Sequence, residues 1–202
     1  ATRFREKHHL RGFIALYAGN LGPFQGLDVI LDAAKIAKER GSDATFLIVG
    51  KGTRWDEIAE RIEREGLTNV RLLPAVGADE YPDLLASADI CLVPLAPGID
   101  GLAVPSKFYT ILAAGRPTVA ILDPSSEISR AVVESECGMQ VNQGDPASLA
   151  EAVIKLRDDP ALAEQMGANA WDALEQNYTI KHIADRFHDL FGRVIASRGA
   201  AK

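Results

Sequence analysis

Two glycine-rich segments and a few cations are the residues of this chain best suited to chemistry. The first segment, AGNLGPFQG, places Gly19, Gly22 and Gly26 directly after an apolar run. Glycines there let backbone amides close on an anion beside a helix N-terminus. They would equally suit a tight, closely packed turn, and their spacing is not the GxGxxG fingerprint. The second segment, GKGTR, sets Lys51 and Arg54 among flexible glycines at the mouth of a helix, where the two cations could face phosphate or solvent. FLIVGKG ends its apolar run without an acid to hold a ribose, which argues against a dinucleotide cofactor.

A third segment, PLAPGIDGLAVPSKFYTILAAGRPTVA from Pro94 to Ala120, is the most informative. Pro105-Ser106 marks a helix start whose free amides suit an anion, and Lys107 in the first turn adds a full charge. A lysine there opposes the helix dipole unless something negative binds nearby. Thr110 shares its face at i, i+3. Asp100, the only acid of the segment, could orient hydroxyl groups or serve as a turn residue. The histidines His8, His9, His182 and His188 lack cysteine or acid partners at metal-ligand spacing and read as surface or structural residues. No serine stands in a GxSxG elbow, so acyl transfer has no support.

These residues need a scaffold, and 202 residues with 47% hydrophobic and 25% charged composition suffice for one full-sized globular domain with extra helices. The 28 acids against 22 bases give a net charge of -6, opposite in sign to the footprint of a nucleic-acid binder. Only Cys91 and Cys137 occur, too few for a disulfide framework, which fits a reducing, cytoplasmic setting. No stretch approaches the roughly 20 apolar residues of a membrane span, and ATRFREKHHLRG lacks the apolar core of a signal peptide. Any membrane association is expected to be peripheral.

Short β-branched runs alternate with amphipathic segments, the trace of βα units around a parallel sheet. Six strands are expected, from Phe13 to Ala18, Ala44 to Val49, Val70 to Leu73, Ile90 to Pro94, Thr118 to Ile121 and Met139 to Val141. Asp145-Pro146 and Asp159-Pro160 each put a capping carboxylate before a first-turn proline, so two helices follow the last strand. A final helical stripe of Ile180, Ile183, Ala184, Phe187, Leu190, Phe191 and Val194 needs a partner surface. The expected fold is α/β: a doubly wound, parallel, six-stranded Rossmann-like sheet with a helical C-terminal extension. The domain should span residues 13–196, after a short basic helix in residues 1–12 and before a frayed tail at 197–202.

The blocks YAGNLGPFQGLDVILDAA, FLIVGKG, NVRLLP, LLASADICLVPL, PSKFYTILAAGRPTVA and GDPASLAEAVIKLRDDPALAEQMG, in this order and spacing from about Leu16 to Arg193, resemble the C-terminal half of retaining family-four (group 1) glycosyltransferases. Those enzymes pair two Rossmann-like domains in a GT-B fold, and the PSK block is similar to a branch that assembles bacterial surface polysaccharides. The resemblance implies a nucleotide diphosphate-sugar donor, UDP- or GDP-linked, as substrate and no cofactor. By position, Gly19, Asn20 and Gly22 would line the phosphate cleft and Lys51 and Arg54 would flank it. The backbone at Ala75 and Val76 would meet the base and Thr110 the ribose, while Asp100, Gly101, Leu102 and Ala103 would face the sugar. With no metal cluster in the sequence, transfer of a hexosyl group to a glycan or lipid-linked acceptor is expected to be metal-independent. Lys107 and Asp100 are the expected catalytic residues.

The chain departs from the family pattern in three ways. Asn20 and Gln25 stand where an arginine and a lysine are common, which leaves Lys107 to compensate. The Glu-x7-Glu pair is missing: setting its second member on Thr110 puts the first on Leu102, whereas a two-residue insertion before the helix puts it on Asp100. The resemblance also implies an N-terminal acceptor domain that this chain does not include, so the fragment alone should bind donor but transfer sugar poorly. Residues 1–12 would then be a remnant of the interdomain segment. The intact protein would work in the cytoplasm, on the inner membrane face where its acceptor is lipid-linked. A binding subunit that pairs with a separate acceptor-binding chain, one half of a nucleotide-sugar epimerase, and a degenerate homologue remain as alternatives.

Overall fold

The computed structural model describes residues 2–99 and 104–199. The roles expected of Asp100, Gly101, Leu102 and Ala103 therefore lie outside the described residues.

Helix α1 (Thr2–Lys7) leads into strand β1 (Ile14–Asn20), and α2 (Asp28–Glu39), β2 (Thr45–Lys51), α3 (Trp55–Arg64) and β3 (Val70–Pro74) follow. Then come α4 (Tyr81–Ser87), β4 (Ile90–Pro94), α5 (Lys107–Ala113), β5 (Thr118–Ile121), α6 (Glu127–Glu134) and β6 (Gly138–Val141). Helices α7 (Pro146–Asp158), α8 (Pro160–Ala173) and α9 (Ile180–Gly199) complete the order. The six strands form one parallel sheet, as the alternation of runs predicts, and their order is β3-β2-β1-β4-β5-β6. Strands β1 and β2 run two residues further than their β-branched runs, because the ladder continues through Gly19↔Gly50 and Asn20↔Lys51.

Both faces are covered, which is why the central strands are apolar throughout. On one face Ala15, Tyr17, Phe46 and Ile48 pack under α2 and α7; on the other, Ile14, Leu16, Leu47 and Val49 pack under α4, α5 and α6. The chain reverses its winding between β1 and β4. Their ladder covers only Ala15↔Ile90 and Leu16↔Cys91, so the two strands part toward their carboxyl ends. Such a switch point is where open α/β sheets place their ligands.

The capping carboxylates act as their spacing predicts. Asp145 accepts from Ser148 N at 3.0 Å and Asp159 from Leu162 N at 3.0 Å, each with proline in the first turn. Helix α1 is fixed to the sheet by the buried Phe4 and by Arg5, which donates to the Ser87 carbonyl and to Asp89, both at 2.8 Å. A π-helical turn, Leu174–Tyr178, links α8 to α9 and packs Tyr178 against Phe108 and Tyr109. Helix α9 carries the expected stripe with Ile180, Phe187 and Phe191 exposed, and it runs to Gly199, past the Ser197 start expected of the tail. None of the described helices is long and apolar enough to cross a membrane.

Candidate functional site

The carboxyl ends of β1 to β4 enclose two adjoining hollows. One, of about 390 Å³, is lined by Gly19, Asn20, Lys51, Ala75 and Val76 with Tyr81. The other, of about 430 Å³, is lined by Gly19, Gln25, Ser106, Lys107 and Thr110, again with Tyr81. Gly19 and Tyr81 border both, so the hollows form one cleft across the switch point. A larger hollow of about 600 Å³ lies near the amino ends of the strands, but its Arg5 and Arg116 already donate to Asp89 and to the Ser87 and Ala86 carbonyls.

Lys107 is the central side chain of the cleft. It leaves the first turn of α5 and carries its ammonium across to β1, with Nζ 3.9 Å from the centroid of the Tyr17 ring. A Cβ at Gly19 would stand 2.9 Å from that Nζ, so the glycine makes room for the cation. Burial pushes the Lys107 amine down to about 8, with the nearby Cys91 acting weakly the other way. Cys91 is itself fully buried, its thiol pushed up to about 12 by desolvation, and it stays neutral. Among the described residues no carboxylate pairs with Lys107. A desolvated cation without a counter-ion is unfavourable until an anion arrives.

The loops around it are held by close backbone contact. Leu21 N donates to the Lys51 carbonyl at 2.8 Å and Arg54 N to the Leu21 carbonyl at 3.0 Å. Lys51 is exposed at the rim. Gln25, uncharged where a family lysine is common, turns its Oε1 to accept from Gly22 N at 3.1 Å. That bond occupies the Gly22 amide expected to face phosphate. Ser106 precedes α5 without capping it through its side chain, and Thr110 Oγ1 donates to the Lys107 carbonyl at 2.8 Å.

Arg54 does not join the cleft as a free cation. Its guanidinium donates to both oxygens of Asp28, at 2.8 and 3.0 Å, and to both oxygens of Glu57, one of them at 2.8 Å. These bonds raise the Arg54 pKa further and, led by the Arg54 hydrogen bond, hold the Asp28 carboxyl below its usual range. Arg61 extends the network to Asp32 and Glu65. Asp28 and Glu57 thus engage the cation that the resemblance sets beside the phosphates.

The structure thus brings together Gly19, Asn20, Lys51, Ala75, Val76, Lys107 and Thr110, while Gly22 lies in the loop behind them and Arg54 in an ion-pair network. Sequence reasoning missed Tyr17 and Tyr81. Tyr17 is wholly buried, and its hydroxyl donates to the Asn20 carbonyl at 2.6 Å. A polar-tipped aromatic in an otherwise aliphatic strand, two residues before Gly19, is the signal that could have found it. Among the described residues no cluster of His, Cys, Asp and Glu could hold a metal ion.

Comparison with known proteins matches residues 12–159 to the family described as glycosyl transferases group 1. The probable glycosyltransferase WbjE of Pseudomonas aeruginosa is 30% identical over 163 residues, 81% of this chain and 40% of that protein. The phosphatidyl-myo-inositol mannosyltransferase of Mycobacterium leprae is 32% identical over 177 residues, 87% of this chain and 45% of that protein. Among solved structures, Anabaena HepE in complex with UDP is similar in fold with a TM-score of 0.75 at 21% identity, over 95% of this chain and 52% of that one. The chain spans less than half the length of these two curated relatives.

Proposed function

We propose, from the premise that this chain belongs to the group 1 glycosyl transferases, that its switch-point cleft binds the nucleotide diphosphate-sugar donor of a retaining hexosyltransferase. The observation that carries the reading is the Lys107 ammonium, desolvated, unpaired by any described carboxylate and standing over Gly19 at the mouth of β1. A diphosphate there would supply the missing counter-charge. The hollow beside Ala75 and Val76 is the less polar of the two and suits the base, and Thr110 stands on the Lys107 side for the ribose. HepE, similar in fold, was solved in complex with UDP, which favours a uridine or similar nucleotide here.

In the intact protein an acceptor hydroxyl would attack the anomeric carbon as the nucleoside diphosphate leaves. Lys107, with Lys51 at the rim and the amides of the flanking loops, stabilises the charge that grows on the departing phosphate. The acceptor and its pocket belong to an upstream domain, which the exposed face of α9 would cover, and a lipid-linked acceptor would bring the protein to the inner membrane face. Polysaccharide assembly in the cytoplasm is the corresponding setting.

Titration of the chain with UDP, GDP and their sugar conjugates, followed by calorimetry, tests the reading. Saturable binding that Lys107→Met weakens at least tenfold is expected. Folded protein that ignores every nucleoside diphosphate at millimolar concentration would overturn it.

A further inference from the structure

We infer that Tyr17 is a positioning residue of this cleft: its ring face holds the Lys107 ammonium over Gly19 while its hydroxyl fixes the Asn20 carbonyl of the adjoining loop. The inference rests on the donor-binding reading for its function, but not for its geometry. A lysine ammonium on a four-carbon stem must be restrained if it is to meet a diphosphate in one place. A carboxylate would restrain it and cancel its charge, as Asp28 and Glu57 do to Arg54. The aromatic face attracts the cation through its quadrupole and leaves the charge whole.

The arrangement fits that task at each atom. Tyr17 has no exposed surface, so the ring beneath Lys107 is itself immobilised by the core of β1, α2 and α7. Nζ stands 3.9 Å above the ring centroid, well inside the range at which a cation and a ring attract. The hydroxyl points along the strand and donates to the Asn20 carbonyl at 2.6 Å, at the residue where β1 becomes the glycine-rich loop. One side chain therefore sets both the cation and the backbone beside it. The ring also explains the lysine's unusual place at the start of α5: the side chain leaves the helix axis for β1, and no acid of the helix is needed to hold it. The titratable side chains facing it are Tyr17 and Cys91, whose hydroxyl and thiol burial pushes up, and Tyr81.

The test replaces Tyr17 with phenylalanine and then with phenylalanines of increasing fluorination, which drain the ring face while nearly keeping its shape. Two readings are taken on the whole chain: the pH midpoint of the Lys107 Cε chemical shift without ligand, and UDP affinity at pH 7. Tyr17→Phe should keep the midpoint and weaken UDP about threefold through the freed loop. Full fluorination should lower the midpoint and weaken UDP by about a further fivefold, a loss that vanishes in a Lys107→Met background. A midpoint and affinity indifferent to fluorination would overturn the role of the ring, and a fluorination loss that persists in Lys107→Met would assign Tyr17 to packing alone. Should the wild-type chain bind neither UDP nor any other nucleoside diphosphate, the donor reading fails, while the ligand-free Lys107 midpoint still decides whether the ring holds the ammonium.

Discussion

A Cβ placed on Gly50 would stand 1.9 Å from the carbonyl oxygen of Gly19, its partner across the β1–β2 ladder. The same closeness recurs two residues on, where a Cβ on Gly52 would meet the Leu21 carbonyl oxygen at 2.3 Å. The two glycine-rich loops are thus seated on each other, and the backbone of β1 can present Gly19 to Lys107 only because β2 carries no side chain there. Gly50→Ala should cost about 2 kcal/mol or more in urea unfolding, since neither backbone can yield cheaply. Gly77→Ala, where nothing lies within 4 Å of the added carbon, should stay within about 0.5 kcal/mol and serves as control.

Replacing Lys107 should make the protein more stable while removing its proposed use. The amine titrates near 8 in the fold and near 10.5 when unfolded, so the folded state holds the proton less tightly. The cost of that buried charge is fully present below pH 8, fades as pH rises toward 10.5 and is gone above it. Lys107→Met should therefore gain up to about 3 kcal/mol at pH 7. The gain should shrink at pH 9 and vanish near pH 10.5. Urea midpoints of the two proteins at the three pH values check this, and a gain independent of pH would exclude the buried charge as its source.

The same ionisation sets the pH dependence of the proposed donor binding. A diphosphate favours the protonated amine, so binding raises the Lys107 pKa above its ligand-free value near 8. UDP affinity should be level from pH 7 to 8, because a terminal phosphate is already largely ionised above about pH 6. It should then fall, approaching tenfold per pH unit, as free Lys107 loses its proton. Calorimetric titration from pH 7 to 9.5 reads the slope. A flat profile, or one unchanged in Lys107→Met, would remove the ammonium from the binding step.

Arg54 and Lys51, three residues apart, should behave differently. Lys51 is exposed at the cleft, while Arg54 is bound to Asp28 and Glu57. Lys51→Ala should weaken UDP several-fold, more at low salt, with little change in stability. Arg54→Ala should leave UDP affinity within about twofold and lower stability by about 1 kcal/mol, as Asp28 loses its bidentate partner. Binding and urea curves on both variants separate the two roles.

The sheet was legible because its four inner strands, β1, β2, β4 and β5, are covered on both sides and so write themselves as apolar runs, and the helix caps because Asp145 and Asp159 act on amides three residues away. The cleft was legible as far as backbone position decides it: Gly19 and Asn20 end β1, Ala75 and Val76 follow β3, and Lys107 opens a helix. What escaped depends on distant partners. Arg54 looks free until Asp28, 26 residues earlier, folds against it. Tyr17 looks like core until α5 lays a lysine across its ring from 90 residues downstream, a meeting that exists only where β1 and β4 part.

The last helix carries a prediction of its own. Ile180, Ile183, Phe187, Leu190, Phe191 and Val194 recur at helical spacing on α9, and all six are exposed. Phe187 and Phe191 stack with centroids 6.0 Å apart, which gathers the apolar surface into one continuous stripe. A stripe of this kind, left in water, tends to find another apolar face, and in solution the face at hand is the same stripe on a second copy. The chain should therefore self-associate as its concentration rises, and the double variant Phe187→Glu, Leu190→Glu should not. Helical content and UDP affinity should be unchanged in that variant, because α9 lies outside the residues that line the cleft. Sedimentation velocity over a concentration series decides it: a wild-type chain that remains monomeric throughout would mean that the stripe alone does not suffice to pair two copies.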